Sequence, residues 1–265
     1  MKKIVSLIFL FLLALSLDAQ TVVVKAVDED ATIVEEENSE KSIPNNNTNT
    51  EFSAQQLIAP VTLFAAGSLG FIPEVKELVI DVRDNVQEWR GNRSTELDDY
   101  IQYVPHISYY GLSLIGLDAK HNYVDRTLVF ATSTVATVVL TRGAKYLFSV
   151  ERPDGVDNKS FPSGHTATVF MGAELVRMEY GEEYPLIGVG AYTLAAAVAA
   201  CRVYNNKHWV TDVIAGAGVG ILGAKIGYWL LPHTLRWMHK LTGYDAFVYP
   251  MVGNDTVALG VSLTF

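Results

Sequence analysis

The chain has 265 residues, is 49% hydrophobic and carries charged residues at only 18% of its positions, a balance that favours contact with a membrane. Its net charge of −9 argues against nucleic acid as a partner, because phosphate backbones select basic surfaces. Cys201 is the single cysteine, which excludes an intrachain disulfide framework and a cysteine-based metal site.

Residues 1–20 have the pattern of a secretory signal peptide. Lys2 and Lys3 precede an apolar run, Ile4–Leu17, that is broken only by two serines, and cleavage is expected after Ala19 or Gln20. The run is short for a membrane-spanning helix, and an uncleaved anchor is the alternative. Either reading takes the chain out of the cytoplasm.

Residues 21–51 form a polar, acidic segment with the runs Asp28–Asp30, Glu35–Glu37 and Asn45–Asn47. Such a composition cannot bury enough apolar surface to offset the entropy of ordering. The segment is therefore predicted to be a disordered tether that leads into a folded domain over residues 52–240.

The folded domain is predicted to be all-α, an antiparallel bundle of about six helices with its functional site at one end. Long apolar stretches alternate with short polar breaks, and Pro162 is a natural residue at which a helix begins. The predicted helices are Leu57–Ile72, Asp98–Leu117, Arg126–Val150, Ser163–Tyr180, Tyr184–Tyr204 and His208–Leu231.

Residues 241–265 are predicted to form a C-terminal β-hairpin that packs on the helical body. Two runs with strand character, Phe247–Val252 and Val257–Phe265, flank the turn-rich tetrapeptide Gly253–Thr256. In the second run, large apolar residues alternate with smaller ones at the period of a strand.

Three short clusters carry most of the chemical information. They are Lys145–x6–Arg152–Pro153, Pro162–Ser163–Gly164–His165 and Arg202–x5–His208–x3–Asp212. In the predicted bundle they lie at the end of the third helix, at the start of the fourth, and between the fifth and sixth, so antiparallel packing brings them to one end.

Five of these residues suit the binding of a phosphate. Arg152 and Arg202 offer planar forks that match phosphate oxygens two at a time, and Lys145 adds a compact positive charge. Ser163 and Gly164 stand at a predicted helix start, where free backbone N–H groups and the helix dipole favour an anion. Such groups stabilise the charge of an in-line phosphoryl transfer.

Two histidines and an aspartate suit the reaction itself. His208 and Asp212 are four residues apart at a helix start, so the carboxylate can accept from Nδ1–H and leave Nε2 free to attack. His165 is placed to protonate the leaving oxygen and later to activate water. A metal site is the competing use of these three residues, but the neighbouring cations would repel a metal ion.

With these clusters, the chain resembles the type 2 phosphatidic acid phosphatase family, whose superfamily includes bacterial acid phosphatases and vanadium haloperoxidases. The likeness covers roughly residues 57–232. It implies that His208 is a nucleophile oriented by Asp212 and that His165 is the general acid. It also implies that Lys145, Arg152, Ser163, Gly164 and Arg202 bind phosphate and that no metal or other cofactor is needed. Cys201 departs from the family pattern, in which serine often opens the third motif.

The resemblance implies a lipid phosphate as the substrate and a membrane-associated enzyme of the bacterial envelope whose site faces the periplasm. Phosphatidate, phosphatidylglycerophosphate, polyprenyl pyrophosphate and lipid A are all candidate substrates. A cleaved signal followed by six spanning helices would deliver the site to the cytoplasm, so the number of spans stays open. Alternatives are a soluble acid phosphatase of broad specificity, a vanadate-dependent haloperoxidase and a non-catalytic lipid-binding protein.

Overall fold

A computed structural model describes residues 52–242 and the backbone of two further segments, residues 245–252 and 257–264. The predicted signal peptide (1–20) and the predicted acidic tether (21–51) lie outside the described residues.

Eight α-helices are present in the described part of the chain, which confirms the predicted all-helical body. Short 3₁₀ turns, Ala54–Leu57 and Leu69–Phe71, flank the first helix. The helices are α1 (Ile58–Ser68), α2 (Pro73–Arg90), α3 (Leu97–Ile101), α4 (Val104–Leu114), α5 (Tyr123–Phe148), α6 (Gly164–Tyr180), α7 (Pro185–Tyr204) and α8 (Val210–Thr242).

The prediction of about six helices was an undercount because it omitted α2 and joined α3 to α4. Helix α2 begins at Pro73 and ends at Arg90, and the next residue, Gly91, has a φ of 58°. Proline is common at the first position of a helix, and glycine with a positive φ is common just after its end. It is charged, and Val79 is its one buried residue, so no long apolar run marks it in the sequence. Helix α3 ends at Ile101, and a separate helix, α4, begins at Val104, immediately before Pro105.

Helix α8 also differs from its predicted range, since it begins at Val210 and continues to Thr242 instead of ending near Leu231. Pro232 lies inside it. Proline removes one backbone donor and usually ends or bends a helix, so the sequence favoured a stop there. The helix nevertheless resumes its hydrogen bonding beyond that residue.

The core is built around α6, which packs against α4, α7 and α8. Most of its residues are buried, including Phe170, Leu175 and Tyr180. Small residues let the neighbouring backbones approach closely: a Cβ added at Gly220 of α8 would lie 2.3 Å from the carbonyl oxygen of Ala167. This close packing fixes the position of α6 relative to α8.

The direction of the helices brings the three clusters together. Helices α5 and α7 run towards one end of the body, and α6 and α8 start from that same end. Helix α1 lies along α8. The 3₁₀ turn that follows α1 reaches the start of α8, where a Cβ added at Gly70 would touch the Thr211 side chain. Helix α2 then extends over this end, where Arg83 Nε donates to Asn206 Oδ1 at 3.0 Å.

Among the residues that the structure describes, four helical segments are long and apolar enough to cross a membrane, which supports membrane association of the protein. They are Ala54–Phe71, Tyr123–Phe148, Pro185–Tyr204 and Val210–Leu241.

The C-terminal residues form two antiparallel strands, β1 (Asp245–Val252) and β2 (Val257–Thr264), in which Asp245 pairs with Thr264 and Val252 with Val257. Strand β1 lies beside α5.

Candidate active site

The eight site residues predicted from the sequence all lie at one end of the helical body. Lys145 is in the last turn of α5, and Arg152 is in the loop that follows. Ser163 caps α6, and Gly164 and His165 begin it. Arg202 is in the last turn of α7, His208 lies in the loop after it, and Asp212 is in the first turn of α8.

His208 and Asp212 form a buried pair, with 2% and 1% of their surfaces exposed. His208 Nδ1 lies 3.5 Å from Asp212 Oδ2, at the outer limit of a hydrogen bond. The other ring nitrogen, Nε2, lies 3.4 Å from Arg152 Nη1. The carboxylate thus faces Nδ1, and Nε2 is left on the side where a guanidinium can hold an anion.

Ser160, which belongs to none of the three clusters, connects the two members of this pair. Its hydroxyl donates to Asp212 Oδ2 at 2.5 Å and lies 3.4 Å from His208 Nδ1. The backbone N–H of Trp209 also donates to Asp212 Oδ2, at 2.9 Å. Asp212 is therefore fixed by two donors besides the imidazole.

The environment of His208 keeps the imidazole neutral. Burial lowers its pKa to about 4, with a further contribution from the nearby Arg152 and Lys145 cations, while the Asp212 carboxylate acts in the opposite direction. At neutral pH the ring therefore carries one proton. With that proton on Nδ1, facing Asp212 and Ser160, Nε2 presents a lone pair.

Arg152 and Lys145 are positioned by the loop between α5 and α6. Arg152 Nε donates to Asp157 Oδ1 at 2.8 Å, and its Nη1 donates to the carbonyl of Lys207 at 3.1 Å. This hydrogen bond from Arg152 lowers the pKa of Asp157. Lys145 Nζ donates to the carbonyl oxygens of Lys159 and Ser160. Both cations are thus held beside His208 by loop carbonyls and one carboxylate.

Ser163 orders the start of α6, and its own backbone N–H is already engaged. Its N–H donates to the carbonyl of Asp212 at 2.9 Å. Its hydroxyl oxygen caps the helix by accepting from the backbone N–H of Thr166 at 3.4 Å, and it also accepts from the Thr166 hydroxyl at 2.9 Å. The following residues, Gly164 and His165, occupy the first turn, where N–H groups have no acceptor within the helix. These two groups are the backbone donors left for an anion.

Arg202 is buried and tied to two adjacent aspartates of α3. Its Nη1 donates to Asp98 Oδ2 at 2.6 Å and to Asp99 Oδ1 at 3.1 Å. Asn205 completes the network by donating to Asp98 Oδ1 at 3.0 Å. Asp98 is 1% exposed, so it is a fixed counter-charge for the guanidinium.

His165 lies next to the same carboxylates. Its Nε2 is 2.9 Å from Asp99 Oδ1. Burial and the Arg202 cation lower the pKa of His165, and Asp99 and Asp98 oppose that shift.

Sequence reasoning missed four residues of this site: Ser160, Asp157, Asp98 and Asp99. Asp157 and Ser160 lie in the loop between the first two clusters, and a serine or aspartate in a polar loop carries no distinctive pattern. The two aspartates lie about a hundred residues before Arg202, so only the packing of α3 against α7 reveals the pairing. Among the described residues, no group of three or more His, Cys, Asp or Glu could hold a metal ion.

Residues 126–236 match the PAP2 superfamily, and this range contains all eight predicted site residues. That part of the chain is therefore similar to the PAP2 superfamily. The match confirms the family resemblance given by the three clusters.

Two curated relatives share sequence with the chain. The lipid A 1-phosphatase of Porphyromonas gingivalis is 37% identical over 173 residues, which are 63% of this chain and 38% of that protein. The bacitracin transport permease protein BcrC of Bacillus licheniformis is 34% identical over 86 residues, which are 32% of this chain and 39% of that protein. The chain thus spans less than half the length of these relatives.

Two solved structures are also similar. LpxE of Aquifex aeolicus has a TM-score of 0.41 at 22% identity, covering 54% of this chain and 92% of that one. The PAP2 type phosphatidylglycerolphosphate phosphatase of Bacillus subtilis has a TM-score of 0.39 at 19% identity, covering 68% of this chain and 97% of that one.

Proposed function

We propose that this protein is a metal-independent phosphatase that hydrolyses a lipid phosphate through a phosphohistidine intermediate. The observation that carries the proposal is the arrangement around His208, whose Nδ1 faces a buried carboxylate and whose Nε2 lies 3.4 Å from the Arg152 guanidinium. This is the geometry of a neutral nucleophile beside an anion-binding group.

In the first step, His208 Nε2 attacks phosphorus, and the bond between phosphorus and the lipid oxygen breaks. The leaving oxygen takes a proton from His165, which becomes neutral. The imidazole of His208 becomes positively charged as the N–P bond forms, and Asp212 stabilises that charge. The products are the free lipid alcohol and phosphorylated His208.

In the second step, water attacks phosphorus opposite His208. His165 takes a proton from the water, an O–P bond forms and the N–P bond breaks. Inorganic phosphate leaves, and both histidines return to their starting protonation states. His165 acts as acid in one step and as base in the other, as microscopic reversibility requires.

The phosphate oxygens are held by cations and by the start of α6. Arg152 and Arg202 each present a planar fork, and Lys145 adds a point charge. Gly164 brings the backbone of the first helical turn close to the anion. Ser163 contributes through the turn that it caps, since its own N–H is engaged by Asp212.

The proposed substrate class is a phosphate monoester or pyrophosphate on a membrane lipid. Four candidate spans and the similarity to a lipid A 1-phosphatase support a lipid. Phosphatidate, phosphatidylglycerophosphate, polyprenyl pyrophosphate and lipid A all fit this class. We infer that the antiparallel helical body is embedded in a membrane through some or all of its four candidate spans, with the site facing the periplasm and the C-terminal hairpin packed on this body.

The test is phosphate release from these four lipids and from a soluble ester by the purified full chain in detergent. His208→Ala should abolish release, whereas EDTA should leave it unchanged. His233→Ala, in the distal part of α8, is the matched control and should retain activity. Trapping of acid-labile phosphate on the wild-type protein, and not on His208→Ala, would identify the intermediate. Full activity of His208→Ala would refute the mechanism.

A further inference from the structure

Asp99 makes a contact that the proposed mechanism does not use. One of its carboxylate oxygens, Oδ1, lies 2.9 Å from Nε2 of His165 and 3.1 Å from Nη1 of Arg202. The neighbouring Asp98 also contacts Arg202, through its own Oδ2, but its other oxygen is taken by Asn205. Asp99 alone of this pair has a hydrogen-bond contact with His165.

The two aspartates also differ in burial. Asp98 is 1% exposed, whereas the Asp99 side chain is 52% exposed. A buried carboxylate locked between a guanidinium and an amide is a structural counter-charge. A half-exposed carboxylate is a weaker structural element, so its position against the imidazole calls for another role.

We propose that Asp99 is the positioning residue of the general acid, holding His165 by Nε2 so that the proton for the leaving oxygen is delivered from Nδ1. This inference rests on the proposed phosphatase function. The site would then contain two carboxylate–imidazole pairs of opposite polarity. Asp212 faces Nδ1 of His208 and frees Nε2 as a nucleophile, whereas Asp99 binds Nε2 of His165 and leaves Nδ1 as the donor.

The charge of Asp99 has a second effect on His165. Burial and Arg202 both disfavour the imidazolium form and lower the pKa of His165. Asp99 and Asp98 are the anions that face the ring, and both raise the pKa against those effects. A general acid must be protonated when the leaving group departs, so Asp99 extends the pH range over which His165 can act.

The dependence of the hydrolysis rate on the leaving group distinguishes this role of Asp99 from a purely structural one. Protonation matters greatly for an alkoxide, which is a poor leaving group, and little for a nitrophenolate, which leaves unaided. Loss of Asp99 should therefore weaken hydrolysis of an alkyl phosphate far more than hydrolysis of a nitrophenyl phosphate. A general acid contributes about 10² to 10⁴ in rate.

The experiment compares Asp99→Ala, Asp99→Asn and Asp98→Asn in the full chain, with dodecyl phosphate and p-nitrophenyl phosphate in the same detergent. We expect Asp99→Ala to lose about 10²-fold in kcat on the alkyl ester and less than about tenfold on the aryl ester. Asp99→Asn, which keeps the shape of the side chain, should move the alkaline limb of the alkyl-ester profile to lower pH. Asp98→Asn keeps the hydrogen bond between Asp99 and His165, so its loss on the alkyl ester should exceed its loss on the aryl ester by much less than in Asp99→Ala.

Equal losses on the two esters in Asp99→Ala, with an unmoved alkaline limb in Asp99→Asn, would overturn the inference while leaving the phosphatase function in place. If the wild-type chain releases phosphate from neither ester nor from any of the four lipids, the proposed function fails, and this inference fails with it. Thermal unfolding of each variant checks that the fold is intact.

Discussion

The hydroxyl of Ser160 donates to Asp212 Oδ2 at 2.5 Å, although the two residues are 52 positions apart and only Asp212 belongs to a recognisable motif. Ser160 is fully buried and also lies 3.4 Å from His208 Nδ1. It therefore joins the carboxylate to the imidazole, whose direct separation is 3.5 Å. A loop serine thus bridges the two side chains of the proposed catalytic pair.

Ser160→Ala should lower the rate of phosphate release without a large change in KM. The substitution removes a hydrogen bond to a buried carboxylate, which costs about 1.5 to 3 kcal/mol, and kcat should fall about 10- to 100-fold. Steady-state kinetics on a lipid phosphate measure the effect. Ser94→Ala, at an exposed position, is the control. An unchanged kcat in Ser160→Ala would show that Asp212 is oriented without it.

The pH dependence of kcat/KM should report the neutral His208. Because burial lowers its pKa to about 4, the nucleophile stays unprotonated until the pH approaches that value. We therefore expect the acid limb near pH 4, after correction for ionisation of the substrate phosphate. A limb at the ordinary histidine value of about 6.5 would contradict this.

The same shift affects stability. The unfolded chain takes up a proton on this histidine as the pH falls below about 6.5, whereas the folded chain does so only near 4. The contribution of His208 is therefore complete above about pH 6.5 and is lost as the pH falls to about 4. The apparent Tm of His208→Asn should be less sensitive to pH than that of the wild type across this window. Equal sensitivity would mean that the imidazole is not held neutral by the fold.

The positions of the proposed reactive residues could be predicted from the sequence because these residues occur in short motifs at helix ends. His208 and Asp212 share one helix start, and the Pro162–His165 motif opens α6, so local spacing was sufficient. The residues that position them could not be predicted, because their contacts depend on helix packing. Asp99 meets His165 only where α3 lies against the ends of α6 and α7.

The helices show the same division between local and long-range information. Apolar length predicted α5, α6 and α7 close to their observed bounds. Helix α2 was not predicted because charged residues predominate in it and its valines form only a narrow apolar stripe. Helix α8 continues beyond its predicted end because Pro232 is accommodated within it.

Arg202→Lys should weaken phosphate binding although it preserves the charge. Arg202 Nη1 already contacts both Asp98 and Asp99, and a planar guanidinium has further N–H groups to offer an anion. A lysine has one ammonium group, which those carboxylates would occupy. We expect KM and the inhibition constant of orthovanadate to rise about tenfold or more. Arg90→Lys, whose side chain donates only to carbonyl oxygens, is the control and should change neither constant. Unaltered vanadate inhibition in Arg202→Lys would remove Arg202 from the phosphate site.

Gly220→Ala should destabilise the protein and reduce activity together, because α8 meets α6 at this glycine. The added Cβ would lie 2.3 Å from the Ala167 carbonyl oxygen and 2.8 Å from the Met171 nitrogen, and backbone atoms cannot rotate away. Overpacking of this kind costs about 1 to 3 kcal/mol and should lower the apparent Tm by about 5 °C. The displacement also separates His165 on α6 from Asp212 on α8, so kcat should fall as well. Gly190→Ala on α7 is the matched control, since its Cβ would meet no atom within 4 Å. Thermal unfolding and phosphate release, measured on the same samples, test both effects, and a Gly220→Ala variant as stable as Gly190→Ala would contradict the close contact between α6 and α8.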